Sequence, residues 1–143
     1  MKWLGVRKNI VVPNVSWGMG LHECDILSLS AGGYATEIEI KISKYDLLKD
    51  AEKWHNHISN LIARLYFAVP NQLVDIAQVN TPSRAGILSV QKNVDKYVVV
   101  EVRKPRRNTF AVQWDADRRY QLARLGSMRI LGLKQKILSN NYQ

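Results

Sequence analysis

Apolar and polar positions alternate most sharply in Thr36-Glu37-Ile38-Glu39-Ile40-Lys41-Ile42-Ser43, where every second residue is isoleucine from position 38 to 42. A period of two predicts a β-strand with Ile38, Ile40 and Ile42 on one side and Glu37, Glu39, Lys41 and Ser43 on the other. The β-branched side is the one expected to enter a core. That leaves two carboxylates and an ammonium presented together, with successive same-face positions roughly 7 Å apart.

Leu21 to Leu29 alternates as well, with Glu23, Asp25 and Leu27 opposite His22, Cys24 and Ile26. Ser30-Ala31-Gly32-Gly33 then supplies a tight hairpin, so the two strands are antiparallel neighbours and Asp25 can lie beside the Glu37/Glu39/Lys41 row. Asn9 to Val12 predicts a short strand that Pro13 ends or confines to an edge, because proline cannot donate a ladder hydrogen bond. Residues 1–8 fit the last turns of a helix or a frayed arm.

Downstream, Ser43-Lys44-Tyr45-Asp46 has the form of an N-cap, and Leu47, Leu48, Ala51 and Trp54 follow at helical spacing, predicting a helix over 44–56. Ile58 to Arg64 reads as a further helical turn or two. Leu65 to Val69 is a buried strand closed by Pro70, Asn71 to Gln78 a short amphipathic helix, and Ala85 to Val90 another buried strand. Strand, helix, strand implies a parallel pair with a right-handed crossover. Tyr97 to Val102 is a last strand paired with its predecessor across Gln91 to Lys96. After a break at Lys104-Pro105-Arg106-Arg107-Asn108, Trp114, Leu122, Leu125, Met128, Ile130, Leu131 and Leu133 recur among arginines. They predict a basic amphipathic helix or helix pair, weakest at Gly126 or Gly132.

The expected fold is therefore α/β, a mixed sheet flanked by helices, with a core over 1–103 and a basic helical extension over 104–143 packed on the same domain. Its 143 residues, 46% of them hydrophobic, suffice for one core. No apolar run approaches the roughly 18 residues of a membrane span and residues 1–8 lack a signal-peptide core, so a cytoplasmic protein is expected. The one cysteine, Cys24, leaves stability to packing and is expected to be a core thiol on the face of Ile26.

Charge changes the picture more. The net +9 is uneven: residues 1–102 carry 11 Lys/Arg against 10 Asp/Glu, whereas residues 103–143 carry 10 against 2. Such a block favours a polyanion through counterion release, although basic surface also serves solubility. If the partner is DNA, the candidate contacts are Lys44, Lys49 and Lys53 on the first helix and Arg106, Arg107, Arg118 and Arg119 beyond the break. Trp114 and Tyr120 are suited to stacking on bases but more ordinarily pack.

The candidate chemistry lies at Asp25, Glu39 and Lys41. Two carboxylates from adjacent strands form a half-shell for Mg²⁺ or Mn²⁺, hard cations that take one or two carboxylates plus water and substrate phosphate. Lys41, one same-face step from Glu39, would orient or help deprotonate a water, or stabilise negative charge in the transition state. His22-x-Cys24 and His55-x-His57 are poor zinc pairs, because i,i+2 residues on a helix diverge. No phosphate-binding Walker loop or dinucleotide glycine pattern is present.

His22-Glu23-Cys24-Asp25-Ile26-Leu27, the glycine hairpin, and Glu39-Ile40-Lys41 followed by a cationic helix resemble the core of the PD-(D/E)XK nuclease superfamily over about residues 9–103. More narrowly the chain resembles small phage and prophage members related to the MmcB-like DNA-repair proteins. The resemblance implies a restriction-endonuclease-like sheet, Asp25 and Glu39 as metal ligands, and Lys41 as catalytic lysine. Cys24 stands where the motif has proline. The acidic residue that usually precedes the first strand is missing, which makes Glu23 or Glu37 the candidate third carboxylate. The implied function is metal-dependent hydrolysis of DNA phosphodiester bonds in phage DNA processing or repair. The alternative is an inactive DNA-binding accessory protein on the same scaffold, and a third reading is a protein-interaction module using the Trp114/Leu122/Leu125 face. A homodimer is left open; no membrane partner is expected.

Overall fold

The computed structural model describes residues 3–16, 18–51 and 58–140. Six strands form one mixed sheet in chain order: β1 (Ile10–Val15), β2 (Cys24–Leu29), β3 (Ala35–Ile40), β4 (Ile62–Pro70), β5 (Gly86–Asn93) and β6 (Lys96–Arg103). The β3–β4 and β4–β5 pairs are parallel and the others antiparallel. Helix α1 (Lys44–Ala51) links β3 to β4, a 3-10 turn (Asn71–Leu73) and α2 (Val74–Asn80) link β4 to β5, and α3 (Ala116–Asn140) closes the chain.

The predicted strand-helix-strand unit, the hairpin pairings and the Ser43 cap are all present, the cap as a bond from Asp46 N to Ser43 Oγ at 3.1 Å. The part of the predicted 44–56 helix beyond Ala51, with Lys53, Trp54, His55 and His57, lies outside the described residues. Residues 62–64, read as helical from their mixed polarity, instead open β4, where Ile62 and Ala63 are buried. The C-terminal segment is one helix that passes through both Gly126 and Gly132. Gly126 lets it lie on β1, since a Cβ there would sit 3.1 Å from the Val12 side chain.

The largest departure from expectation concerns which side of β3 is covered. Glu37, Glu39 and Lys41 are 0%, 3% and 5% exposed; of the isoleucines expected inside, Ile38 is buried at 2%, while Ile40 and Ile42 are 42% and 75% exposed. The register explains it: Leu27 pairs Glu37, Glu37 pairs Leu65, and Glu39 pairs Phe67, so the charged row shares a face with the two main apolar clusters. One cluster gathers Val12, Leu27, Leu29, Trp114 and Leu122 under α3. The other gathers Leu47, Leu65, Phe67, Ala77 and Ile87 under α1 and α2. The acids of β3 run along the seam between them. The opposite face holds Ile38, Tyr66 and Leu88, with Trp3 set edge-on to Tyr66 at 4.9 Å. That face leaves an apolar hollow of about 270 Å³ bordered by Ile26, Ile38, Ile40 and Val99.

Cys24 also changes sides. Asn14 has a φ of 50°, in the left-handed region that asparagine tolerates, and this breaks the alternation of β1. Val12 and Val15, three apart, therefore both enter the α3 cluster, and so do their partners Leu27 and Cys24. Burial keeps the Cys24 thiol protonated, helped by the carboxylates Glu37 and Glu39.

Gly86 begins β5 where the backbone passes the Tyr66 ring. A Cβ there would come within 2.5 Å of the ring and 2.9 Å of the Arg103 carbonyl. Gly86→Ala is expected to cost about 1–3 kcal/mol, seen as a lower urea midpoint at unchanged slope; an unaltered midpoint would contradict the packing described.

Candidate active site

β3 delivers its charged row to the carboxyl end of the parallel pair, and Lys41 N extends the ladder with a 3.0 Å bond to Ala68 O. The Ser43 cap then turns the chain into α1, which packs Leu47 and Asp50, three apart and so on one helical face, against the sheet. The result is a compact buried cluster. The Lys41 ammonium lies 3.0 Å from Glu39 Oε2 and 2.8 Å from Asp50 Oδ1. One ammonium faces two carboxylates, so the fully ionised trio carries a net charge of −1.

Electrostatics set each proton. Burial works against the Lys41 charge, but the bond to Asp50 and the charge of Glu39 outweigh it and push the ammonium up to about 12. The two carboxylates thus favour the protonated form of Lys41, which suits it to donate to negative charge more than to take a proton from water. Burial holds the Glu39 carboxyl above the usual carboxylate range, with Lys41 opposing and Glu37 and Asp25 adding to the rise. Glu39 Oε1 is buried, with no hydrogen-bond partner among the described residues.

Asp25 stands across from Glu39, one step beyond the paired Ile26 and Ile38. Its Oδ2 accepts from Ile40 N at 2.7 Å, so one carboxylate oxygen is spent aligning the strand end. Neither expected substitute acid joins the cluster: Glu23 is exposed, and Glu37 accepts from or pairs with His22 Nε2 at 2.8 Å. The acid that joins Glu39 at the Lys41 ammonium is Asp50 instead. Its signal in the sequence was an acid three residues after Leu47, on the inward stripe of the helix. Among the described residues no group of three or more His, Cys, Asp or Glu side chains is placed to hold a metal ion.

The predicted nucleic-acid residues divide. Lys44 and Lys49 are exposed on α1, next to the cluster in sequence. Three of the four arginines, Arg107, Arg118 and Arg119, gather elsewhere, near the Gly33 hairpin, roughly 26 Å along the strand from Lys41 at about 3.3 Å per residue. Trp114 N bonds Gly33 O there. Arg119 donates to Trp114 O at 2.8 Å and Ala31 O at 3.4 Å, Arg118 pairs with Asp115 at 2.9 Å, and Arg107 lies 4.6 Å from the Tyr34 ring centre. Arg106 is exposed. Trp114 is a core residue whose indole donates to Leu61 O at 2.8 Å; of the Trp114/Leu122/Leu125 face expected of an interaction module, Trp114 and Leu122 are interior and Leu125 packs against them half-buried, while Tyr120 is exposed.

Sequence reasoning also missed a cleft of about 480 Å³ that opens beside Asp50. Its rim includes Thr81, Ser83 and Arg84 on the turn between α2 and β5. Arg103 braces that turn through bonds to Gln78 O, Thr81 Oγ1, Pro82 O and Ala85 O. Desolvation lowers the pKa of Arg84, while the nearby Glu37 charge favours its charged form.

No protein-family model and no curated protein matches the chain. Among solved structures it resembles the SPO1766 protein of unknown function from Silicibacter pomeroyi, with a TM-score of 0.63 and 21% identity over 98% of this chain and 86% of that one. The likeness supports the mixed α/β fold. No helix among the described residues is long and apolar enough to cross a membrane.

Proposed function

We propose that the protein is a divalent-metal-dependent deoxyribonuclease of the PD-(D/E)XK type, acting in phage DNA processing or repair with Mg²⁺ or Mn²⁺. The observation that carries this reading is the buried Glu39–Lys41–Asp50 cluster at the carboxyl end of β3, with Asp25 across from it. Three costly buried charges where the end of β3 meets α1 point to function more than to stability. The residues fit a hard cation: Glu39 Oε1 is a buried oxygen without a hydrogen-bond partner among the described residues, and two carboxylates with water and phosphate are the usual complement for Mg²⁺. Glu39 and Asp25 would hold the ion, which supplies Lewis acidity toward a phosphate oxygen.

The chain's own groups do the rest. Lys41, held protonated by Glu39 and Asp50, donates to a phosphate oxygen as charge builds there. Asp50 fixes the ammonium's direction, and Asp25 fixes the Ile40 amide and with it the path of the strand end.

The test uses purified protein with single-stranded, duplex and branched DNA in Mg²⁺, Mn²⁺ or chelator. Cleavage that needs the cation and disappears in Asp25→Ala is expected. No cleavage of any substrate, or undiminished cleavage in the variant, rules the reading out. One observation favours a second reading, an inactive DNA-binding scaffold: Lys41 already neutralises part of the acid pair and Asp25 is engaged by a backbone amide. That reading predicts salt-sensitive DNA binding indifferent to chelator.

A further inference from the structure

We propose that the second half of α3 lies in the surface of an anionic lipid bilayer, with Ile130, Leu131, Ile137 and Leu138 at the acyl boundary and its lysines on the headgroups. These four side chains stand at i, i+1, i+7 and i+8, so they share one helical face, together with Lys134. The face turned to β1 is a different one, roughly a third of a turn round. It carries Leu122 and Leu125 on the apolar cluster, Gly126 against Val12, and Arg129, which donates to Asn14 O at 2.8 Å. Ile130, Leu131, Ile137 and Leu138 are 59%, 61%, 59% and 56% exposed. The helix thus has two apolar faces, and its own domain covers one of them.

Charge identifies the occupant of the other. From residue 118 to 140 the helix holds six Lys or Arg and no Asp or Glu. A second copy docked through the same stripe would bring Arg124, Lys134 and Lys136 toward their counterparts, with no acid on this stretch of either helix to offset them. The phosphates of a nucleic acid would engage the cations and leave the leucines and isoleucines without a partner. An anionic bilayer answers both features at once: the apolar side chains leave water for the acyl boundary while the cations meet lipid phosphates. Lys134 belongs to the apolar face, and its long stem runs along that face while the ammonium reaches the headgroup level. No helix among the described residues is long and apolar enough to cross a membrane, and an interfacial helix has no need to be, because it buries one face only.

Vesicle flotation of the full chain tests this without DNA and independently of the nuclease reading. The vesicles are phosphatidylcholine alone, or phosphatidylcholine with about one-third phosphatidylglycerol. Binding to the anionic vesicles is expected to be at least about tenfold tighter than to the neutral ones and to weaken as salt is raised. The double variant Leu131→Gln, Ile137→Gln removes apolar area without altering charge and is expected to lose about tenfold on anionic vesicles; Lys134→Gln, Lys136→Gln is expected to lose at least as much. All four side chains are exposed and glutamine is a good helix former, so both variants keep the fold, which circular dichroism checks. No binding to anionic vesicles, equal binding to neutral ones, or undiminished binding in the Leu131/Ile137 variant overturns the proposal, the last because it marks adsorption through charge alone. A concentration-dependent dimer in sedimentation velocity that becomes monomeric in that same variant also overturns it, since a second copy would then cover the stripe.

Discussion

Lys41→Met is expected to lower folding stability by about 3–5 kcal/mol at pH 8, because it keeps most of the side-chain volume but leaves two buried carboxylates facing each other without their ammonium. The pH dependence is the diagnostic part. In wild type the Lys41 ammonium has a pKa raised on folding to about 12, so its contribution is complete below about pH 10.5 and is lost as pH rises through 12. In the variant that source of stability is gone, and Glu39, already raised by burial, is pushed higher still. A carboxyl raised on folding favours the native state only while protonated. The variant should therefore recover stability as pH falls from 8 toward 5, more steeply than wild type. Urea melts across that range check it; a loss below about 1 kcal/mol at pH 8 with no recovery would mean that the cluster is not the closed, water-excluded arrangement described.

How much of this cluster could be read from the residues depended on what alternation encodes. The period of two at 36–43 located β3, and the Ser43 cap located α1, because both signals are local. Which side of β3 faces the core is not local. An alternating strand is symmetric between its faces, and the ordinary assignment puts isoleucine inside; here helices cover the charged side, and Lys41 and His22 make that side tolerable. Asp50 was legible only as an acid among the residues of a solvated helix, although its place one turn after Leu47 pointed inward. The opening of β4 at Ile62 was hidden by Asn60 and Arg64, which break an apolar run into something that looks helical. Gly33 was expected to turn the hairpin, and does, at a φ of 78°. What no local pattern announced is that Trp114 would return to bond its carbonyl from 81 residues away.

Glu39→Gln is expected to separate stability from activity in the opposite sense. The raised Glu39 pKa means that its ionised form is held at a cost near neutral pH, and the amide removes that cost while keeping a hydrogen-bond acceptor for Lys41. The variant should be more stable by the order of 1 kcal/mol at pH 7 to 8 and indistinguishable from wild type near pH 4, where both side chains are neutral. Under the proposed function it should also lose at least about a hundredfold in metal-dependent cleavage, since a neutral amide is a poor partner for a hard divalent cation. Thermal melts and a cleavage time course on one preparation give both readouts. A variant that melts lower than wild type at pH 8 contradicts the electrostatic account, and one that cleaves normally contradicts the assignment of Glu39 to the site.

The two apolar clusters on the covered face differ in when a growing chain can complete them. The one under α1 and α2 draws on Leu47 through Ile87, a continuous stretch in which each element packs on near neighbours in sequence. The one under α3 joins Val12 to Trp114 and Leu122. At ordinary synthesis rates of roughly 5–20 residues per second, β1 waits on the order of five to twenty seconds for its cover. During that interval the acid seam of β3 is bounded on one side only, and the helix that shuts it is made about 80 residues after the strand.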